Sequence, residues 1–215
     1  SGHVRIYENN GVTWSQIGQD IDGEYSDDQS GSSVSISGNG NIVAVGAPYN
    51  NGNGYSSGHV RIYENTGGSW SQIGLDIDGE NSFDESGSSI ALNYNGNMVA
   101  IGAPGNSDNG SGSGHVRIFE NIGGSWSQIG EDIDGEYSND LSGSSISINN
   151  DGNIVAIGAY RNDENGSNSG QVKLFVRISN PGISSWTQVG QDINGNSTND
   201  NFGRSVSLDG DGSSI

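Results

Sequence analysis

The sequence predicts an all-β protein, a β-propeller built from four-stranded antiparallel blades. Three observations lead there. First, Ser1-Gly2-His3-Val4-Arg5-Ile6-Tyr7-Glu8-Asn9 recurs from Ser57 and from Ser113, and loosely from Ser169, at a spacing of 56 residues. Second, each copy holds four strand-like runs separated by turn residues. Third, no apolar periodicity of 3.6 residues persists beyond a single turn.

The runs, A to D, are each legible from their side-chain pattern. Run A, Gly31 to Ile36, alternates Val34 and Ile36 with serine, so one side is apolar. Run B, Asn41 to Ala47, is apolar on both sides, as a strand covered on both faces must be. Run C, Gly2 to Glu8, sets Val4 and Ile6 against His3, Arg5 and Tyr7. Run D extends from Trp14 to Gly23. Asn39-Gly40, Asn95-Gly96 and Asp151-Gly152 join A to B, because these dipeptides accept the positive φ of a tight hairpin turn.

A 56-residue unit is too long for one coil of a solenoid and fits a propeller blade. The expected boundaries are a partial blade at 1–30 (strands C and D), blades at 31–86, 87–142 and 143–202, and a partial blade at 203–215 (strand A and its hairpin). The third full blade carries a four-residue insertion around Asn180-Pro181-Gly182. On this reading the chain is truncated at both ends, and it forms one propeller or part of a larger one. Trp14, Trp70, Trp126 and Trp186 hold one repeat position and are expected to supply much of a core otherwise poor in leucine.

Composition narrows function by exclusion. Seven bases against 26 acids give a net charge of −19, which repels nucleic-acid phosphates and anionic membranes. The longest apolar runs fall far short of the roughly 20 residues that span a bilayer. There is no cysteine, hence no disulfide framework and no thiolate metal site.

The motif order resembles FG-GAP repeats, the blades of integrin-α-like propellers. Phe202-Gly203-Arg204-Ser205-Val206 is similar to the FG segment, and Gly46-Ala47-Pro48 and Gly102-Ala103-Pro104 to the GAP segment. Ser30, Ser86 and Ser142 replace the phenylalanine in the other copies, and Gly158-Ala159-Tyr160 lacks the proline. The resemblance implies a propeller, an extracellular or cell-surface setting, and adhesion or ligand capture on the loops. It also implies calcium in the A–B hairpin, through a loop of alternating acids.

Tested residue by residue, that loop fits poorly. Ser207, Asp209, Asp211 and Gly212 occupy the first, third, fifth and sixth places in the last copy. The others offer Ser35, Ser37 and Asn39; Ala91, Asn93 and Asn95; and Ser147, Asn149 and Asp151. The ninth place, which should be acidic, is Val43, Val99 or Val155, so Asn-Gly turns that need no metal are the favoured reading. A second acidic cluster lies between D and A: Asp20, Asp22 and Glu24, then Asp76, Asp78 and Glu80, then Asp132, Asp134 and Glu136. It offers a divalent ion several carboxylates, with Asp27 or Asp28 alongside. A solvated turn accepting backbone hydrogen bonds is the simpler account.

His3, His59 and His115 share one register and are read as packing or hydrogen-bonding residues, since blades keep equivalent positions apart. Arg5, Arg61, Arg117 and Lys173 place four of the seven bases at one repeat position, which predicts an ion pair with a loop acid or stacking on an aromatic ring. The B–C loops vary among the copies and are the expected recognition surface. Asn109, Asn165 and Asn196 open glycosylation sequons, relevant to a secreted eukaryotic protein.

Every acid cluster recognised in this way is repeated, whereas an enzyme needs one singular site. The expectation is therefore a non-catalytic extracellular repeat protein, structural or adhesive, that binds protein or glycan or its own copies. No cofactor is required, calcium is an alternative, and neither nucleic acid nor membrane insertion is expected. Two alternatives are a calcium-dependent, integrin-like adhesion module and a non-catalytic part of a secreted propeller hydrolase.

Overall fold

A computed structural model describes residues 1–180 and 183–215; Pro181 and Gly182 of the insertion lie outside the described residues. The fold is a β-propeller built from blades, with no helix among the described residues. No helix is long and apolar enough to cross a membrane. In the blade at 31–86, strand A is Ser33–Ile36, B is Ile42–Ala47, C is His59–Asn65, and D is two pieces, Trp70–Gln72 and Ile77–Asp78. They pair antiparallel in the order A-B-C-D, and both pieces of D lie on C. The next blade repeats this with Ser89–Leu92, Met98–Ala103, His115–Ile122, Ser125–Gln128 and Ile133–Asp134.

Strand D is thus shorter than its sequence run suggests. Gly18, Gly74 and Gly130 take φ of 72°, 74° and 77°, a left-handed kink that lifts the chain off the ladder between the two pieces. In the blade at 143–202, strands C and D form a longer hairpin, Gln171–Asn180 with Ile183–Asn194. There the kink at Gly190 is absorbed by a register shift between Val172 and Leu174.

The A strands are neighbours from blade to blade, and backbone bonds tie their turns together. Gly38 N–H donates to the Tyr94 carbonyl, Tyr94 to Asn150, and Asn150 to Gly210. Each seam between blades then closes over one hydrophobic cluster. Because residues alternate along a strand, Val43 and Val45 face back toward Ile6, Ile21 and Trp70, whereas Ile42 and Ala44 face forward with Val99 and Ile101. The apolar-on-both-sides pattern of strand B is this double burial.

Two sequence features make the seam close. Gly46, Gly102 and Gly158, the glycines of the GAP segment, lie against the carbonyls of Gly87, Gly143 and Gly203 in the next blade, where an added Cβ would collide with the oxygen. Ser33, Ser89 and Ser145 hydroxyls donate to those same carbonyls at 2.6, 2.6 and 2.7 Å. The tryptophans close the outer part of the seam: the indole N–H of Trp70, Trp126 and Trp186 donates to the carbonyl of Ile17, Ile73 and Ile129 in the preceding blade.

Trp14 departs from the expected core role. It is 68% exposed, against 4% for Trp70, because among the described residues no earlier blade covers its ring.

Two substitutions test the seam. Trp70→Ala is expected to lower unfolding free energy by roughly 3–5 kcal/mol, and Trp14→Ala by no more than about 0.5 kcal/mol, both read by chemical denaturation. Gly102→Ala is expected to cost about 1–3 kcal/mol through overpacking against the next blade; an unchanged thermal midpoint would refute the close approach.

Candidate functional site

Strands A and C run toward one face, where the A–B and C–D turns lie, so the B–C and D–A loops share the opposite face. Beside this loop face each seam holds a charged cluster. The strand C base meets an aspartate from strand D of its own blade and a glutamate from the preceding D–A loop. Arg61 pairs with Asp76 at 3.1 Å and with Glu24 across the seam. Arg117 reaches Glu80 at 3.5 Å, and Lys173 meets Glu136 and, at 3.8 Å, Asp192. Arg5 grips Asp20 at 2.8 Å without a partner across a seam. Gln16, Gln72, Gln128 and Gln188 each donate to the same aspartate, at 2.7, 2.6, 2.6 and 2.5 Å.

The acids read as one cluster in sequence therefore have separate roles. Asp20, Asp76 and Asp132 lie within the blade beside the base, and Glu24, Glu80 and Glu136 cross the seam. Asp22, Asp78 and Asp134 sit opposite His3, His59 and His115 in the strand ladder. Burial pushes the Asp134 and Glu80 carboxyls up. Of the histidines, His59 and His115 are buried, and burial holds both imidazoles below their ordinary value. Two groups bring a carboxylate pair and an imidazole within 4.8 Å of one another: Glu24, His59 and Asp76, and Glu80, His115 and Asp132.

The A–B hairpins are knitted by neutral side chains. Asn93 accepts from Met98 N–H and donates to Asn97, and Asn149 does the same with Ile154 and Asn153. Asp209 and Asp211 accept from Ser213 and Ser214 within their own turn. The sequon amides of Asn109 and Asn165 donate to the carbonyls of Gly135 and Gly195, and Asn196 gives its backbone N–H to Asp200.

The loop face contains residues that sequence reasoning passed over. Asn50, Asn106 and Asn162 are buried at one repeat position, and Asn50 and Asn162 donate to the buried Asp28 and Asp140 at 3.0 and 2.8 Å. Their signal was the same spacing of 56 residues, two positions after the GAP segment. Burial raises the Asp140 carboxyl, against the pull of the Asn162 bond. Each D–A loop also holds two non-glycine residues at left-handed φ, such as Phe83 and Glu85, or Asn139 and Leu141. Such strain persists only where surroundings enforce it.

Between these loops lie open clefts. One of about 370 Å³ is lined by Ser26, Asp27, Gln29, Tyr49, Asn51, Tyr55 and Ser56. Another, of about 340 Å³, is lined by Glu136, Tyr137, Ser138, Asp140, Asp163, Glu164 and Asp192. In the second, Gln171, which replaces the histidine, donates one amide nitrogen to both Glu164 (2.9 Å) and Asp192 (3.1 Å). Asp163 and Glu164 stand where the earlier copies have Asn51 and Gly52, or Ser107 and Asp108, so this acidic pair is singular.

Residues 21–63 and 133–175 match the FG-GAP repeat family. Both segments are FG-GAP repeats. Each matched segment runs from the second piece of strand D through strand C of the following blade, so the FG-GAP unit spans the seam described above. No curated protein sequence matches the chain. Among solved structures, a candidate 6-phosphogluconolactonase from Bacteroides uniformis superposes with a TM-score of 0.59 at 14% identity, over 89% of this chain and 48% of that one. A second candidate 6-phosphogluconolactonase, from Bacteroides fragilis, gives 0.50 at 14% identity, over 75% and 38%. The chain thus spans about half the length of the first of these, and at such identity the likeness is one of fold.

These neighbours correct one expectation. A non-catalytic role was inferred because every acid cluster recurs, yet the propellers that share this fold are named as lactonases. Repetition of blades is therefore no argument against an enzyme, and the Asp163-Glu164 pair shows that the acids are not uniformly repeated. The assignment as a non-enzyme is withdrawn.

Asp20 supplies a pH test. Its hydrogen bonds from Arg5 and Gln16 lower the carboxyl to about 2. A depressed acid stabilises the fold above its ordinary range, and that contribution disappears as pH falls through the folded value. The Asp20 carboxyl resonance is expected to titrate near about 2, and Arg5→Ala should return it toward the ordinary carboxylate range.

Proposed function

We propose that the chain is part of an extracellular propeller hydrolase acting on neutral carbohydrate, with the B–C and D–A loop face as its recognition surface. The observation that carries this reading is the pair of clefts walled by tyrosines and carboxylates, neither of them lined by a base. Exposed tyrosine rings offer flat apolar faces to sugar C–H groups, and carboxylates and amides accept and donate to hydroxyls. Of the described bases, Lys173 is held behind the second cleft by Glu136 and Asp192, and the others are engaged elsewhere: Arg5, Arg61 and Arg117 on strand C, Arg177 with Glu120, and Arg161 and Arg204 over the Tyr160 ring. In a chain of net charge −19, that arrangement disfavours a phosphorylated ligand, whatever the names of its structural neighbours.

Hydrolysis of a sugar bond commonly uses two carboxylates, one giving a proton and one attacking or activating water. Glu164 and Asp192, bridged by the Gln171 amide, supply such a pair in the cleft that breaks the repeat. The same surface also suits glycan capture in adhesion, and turnover separates the two readings.

Calorimetric titration with a panel of neutral oligosaccharides is expected to give saturable binding that Tyr137→Ala weakens by about tenfold or more. In the full-length protein, Glu164→Gln is expected to lower turnover of neutral glycosides or lactones by roughly 10²–10⁴. Absence of binding to every neutral sugar, or tighter binding to phosphorylated than to neutral sugars, would overturn the proposal.

A further inference from the structure

We propose that Glu80, His115 and Asp132 form a divalent transition-metal site, of the kind zinc occupies, at the seam between the blades at 31–86 and 87–142. It is separate from the carbohydrate cleft and does not rest on that reading. One carboxylate oxygen from each acid and one imidazole nitrogen lie within 4.8 Å of one another, with His115 Nδ1 3.7 Å from Asp132 Oδ2. Ligand atoms around a four-coordinate zinc, at bond lengths of roughly 2.0–2.2 Å, stand about 3.4 Å apart. The imidazole and Asp132 are already close to that spacing, and contraction of up to about 1.4 Å closes the rest of the set.

The independent sign is His115 itself. It is fully buried, and among the described residues neither ring nitrogen has a hydrogen-bond partner. A buried imidazole is normally bonded on at least one side.

The neighbouring seams show why this one is selected. At Glu24, His59 and Asp76, the Arg61 guanidinium occupies the centre, with Nε and Nη2 each 3.1 Å from Asp76 Oδ2. At the proposed site the equivalent arginine stays near Glu80, with Nη1 3.5 Å from Oε1, but it has left the aspartate. Arg117 Nη2 donates to the Asp78 carbonyl at 2.6 Å, and the guanidinium lies over Phe119. Gln128 occupies Asp132 Oδ1, leaving Oδ2 directed toward the imidazole. In the third seam Gln171 replaces the histidine, and the nitrogen ligand is gone. Mixed nitrogen and oxygen donors suit zinc, cobalt or nickel better than calcium, which prefers six or more oxygens. Three protein ligands leave one coordination position for water.

The test is titration of the metal-stripped 215-residue chain with zinc, followed by calorimetry and thermal melting, with cobalt as the spectroscopic probe. One ion per chain is expected to bind and to raise the thermal midpoint, and cobalt should show the intense visible bands of a four-coordinate site. His115→Asn should abolish binding. Because loss of a buried ring can itself unfold the chain, Glu80→Gln at the half-exposed rim is the second variant: the apo chain should stay folded, with a lower midpoint from the lost Arg117 pairing, and should bind zinc roughly tenfold or more weakly. His59→Asn should leave zinc affinity unchanged. No saturable binding at micromolar zinc, binding indifferent to Glu80→Gln, loss that follows His59 instead, or a response to calcium and not to zinc would each overturn the site.

Discussion

The contact on which this structure depends is the approach of one blade's strand B to the next blade's strand A. At Gly46, Gly102 and Gly158 the two backbones come so close that only hydrogen fits beneath the carbonyl of the following FG glycine. The adjoining serine hydroxyl then satisfies that carbonyl, which would otherwise be buried without a partner. Both motif glycines are thus explained by one event. The residue before the second glycine is buried where it is serine, at 86 and 142, and exposed where it is phenylalanine, at 202. Once the inner strands are set at this distance, the outer strands diverge, and tryptophan fills the widening gap while its N–H reaches the preceding blade.

Divergence also explains the charges. Toward the outer part of the loop face the seam becomes wide enough for a base with a carboxylate on either side. In a chain with 26 acids, a cation at each seam offsets repulsion between neighbouring D–A loops. The exposed pair of Arg5 and Asp20 contributes little of this. The seam-buried clusters of Arg61, Arg117 and Lys173 matter more, because removing one partner would leave a charge partly shielded from water and uncompensated.

Most of the fold was legible in the sequence because the repeat multiplied each weak signal. One Asn-Gly turn or one valine-serine alternation is ambiguous, but the same pattern at a constant spacing assigns strands A, B and C and the radial stacking. Strand D was less legible, since the break at Gly18, Gly74 and Gly130 depends on a positive φ that a lone glycine does not declare. The loop face was least legible. Asn50 and Asn162 look like ordinary turn residues until their burial against Asp28 and Asp140 is seen, and Phe83 or Leu141 at left-handed φ contradicts local preference outright. Tertiary contacts impose those conformations. The His115 cluster was hidden for another reason: equivalent histidines were compared with one another, whereas each meets acids from its own strand D and from the preceding D–A loop.

Function in such a protein is best sought where equivalent seams cease to be equivalent. Packing can be copied from blade to blade, because every blade needs the same cover. A ligand site gains nothing from copying unless several ligands are wanted. The three seams share their tryptophans and hydrophobic clusters, and the second and third share the glycine contact, yet they differ in the polar pocket above them. The first closes its pocket with Arg61. The second leaves His115 without a hydrogen-bond partner among the described residues. The third substitutes Gln171 and Lys173 and gathers Glu164 and Asp192 around one amide. None of these differences disturbs the backbone, because the pocket lies above the glycine contact that fixes the blade spacing. The scaffold therefore tolerates distinct chemistry at each seam while holding its geometry constant.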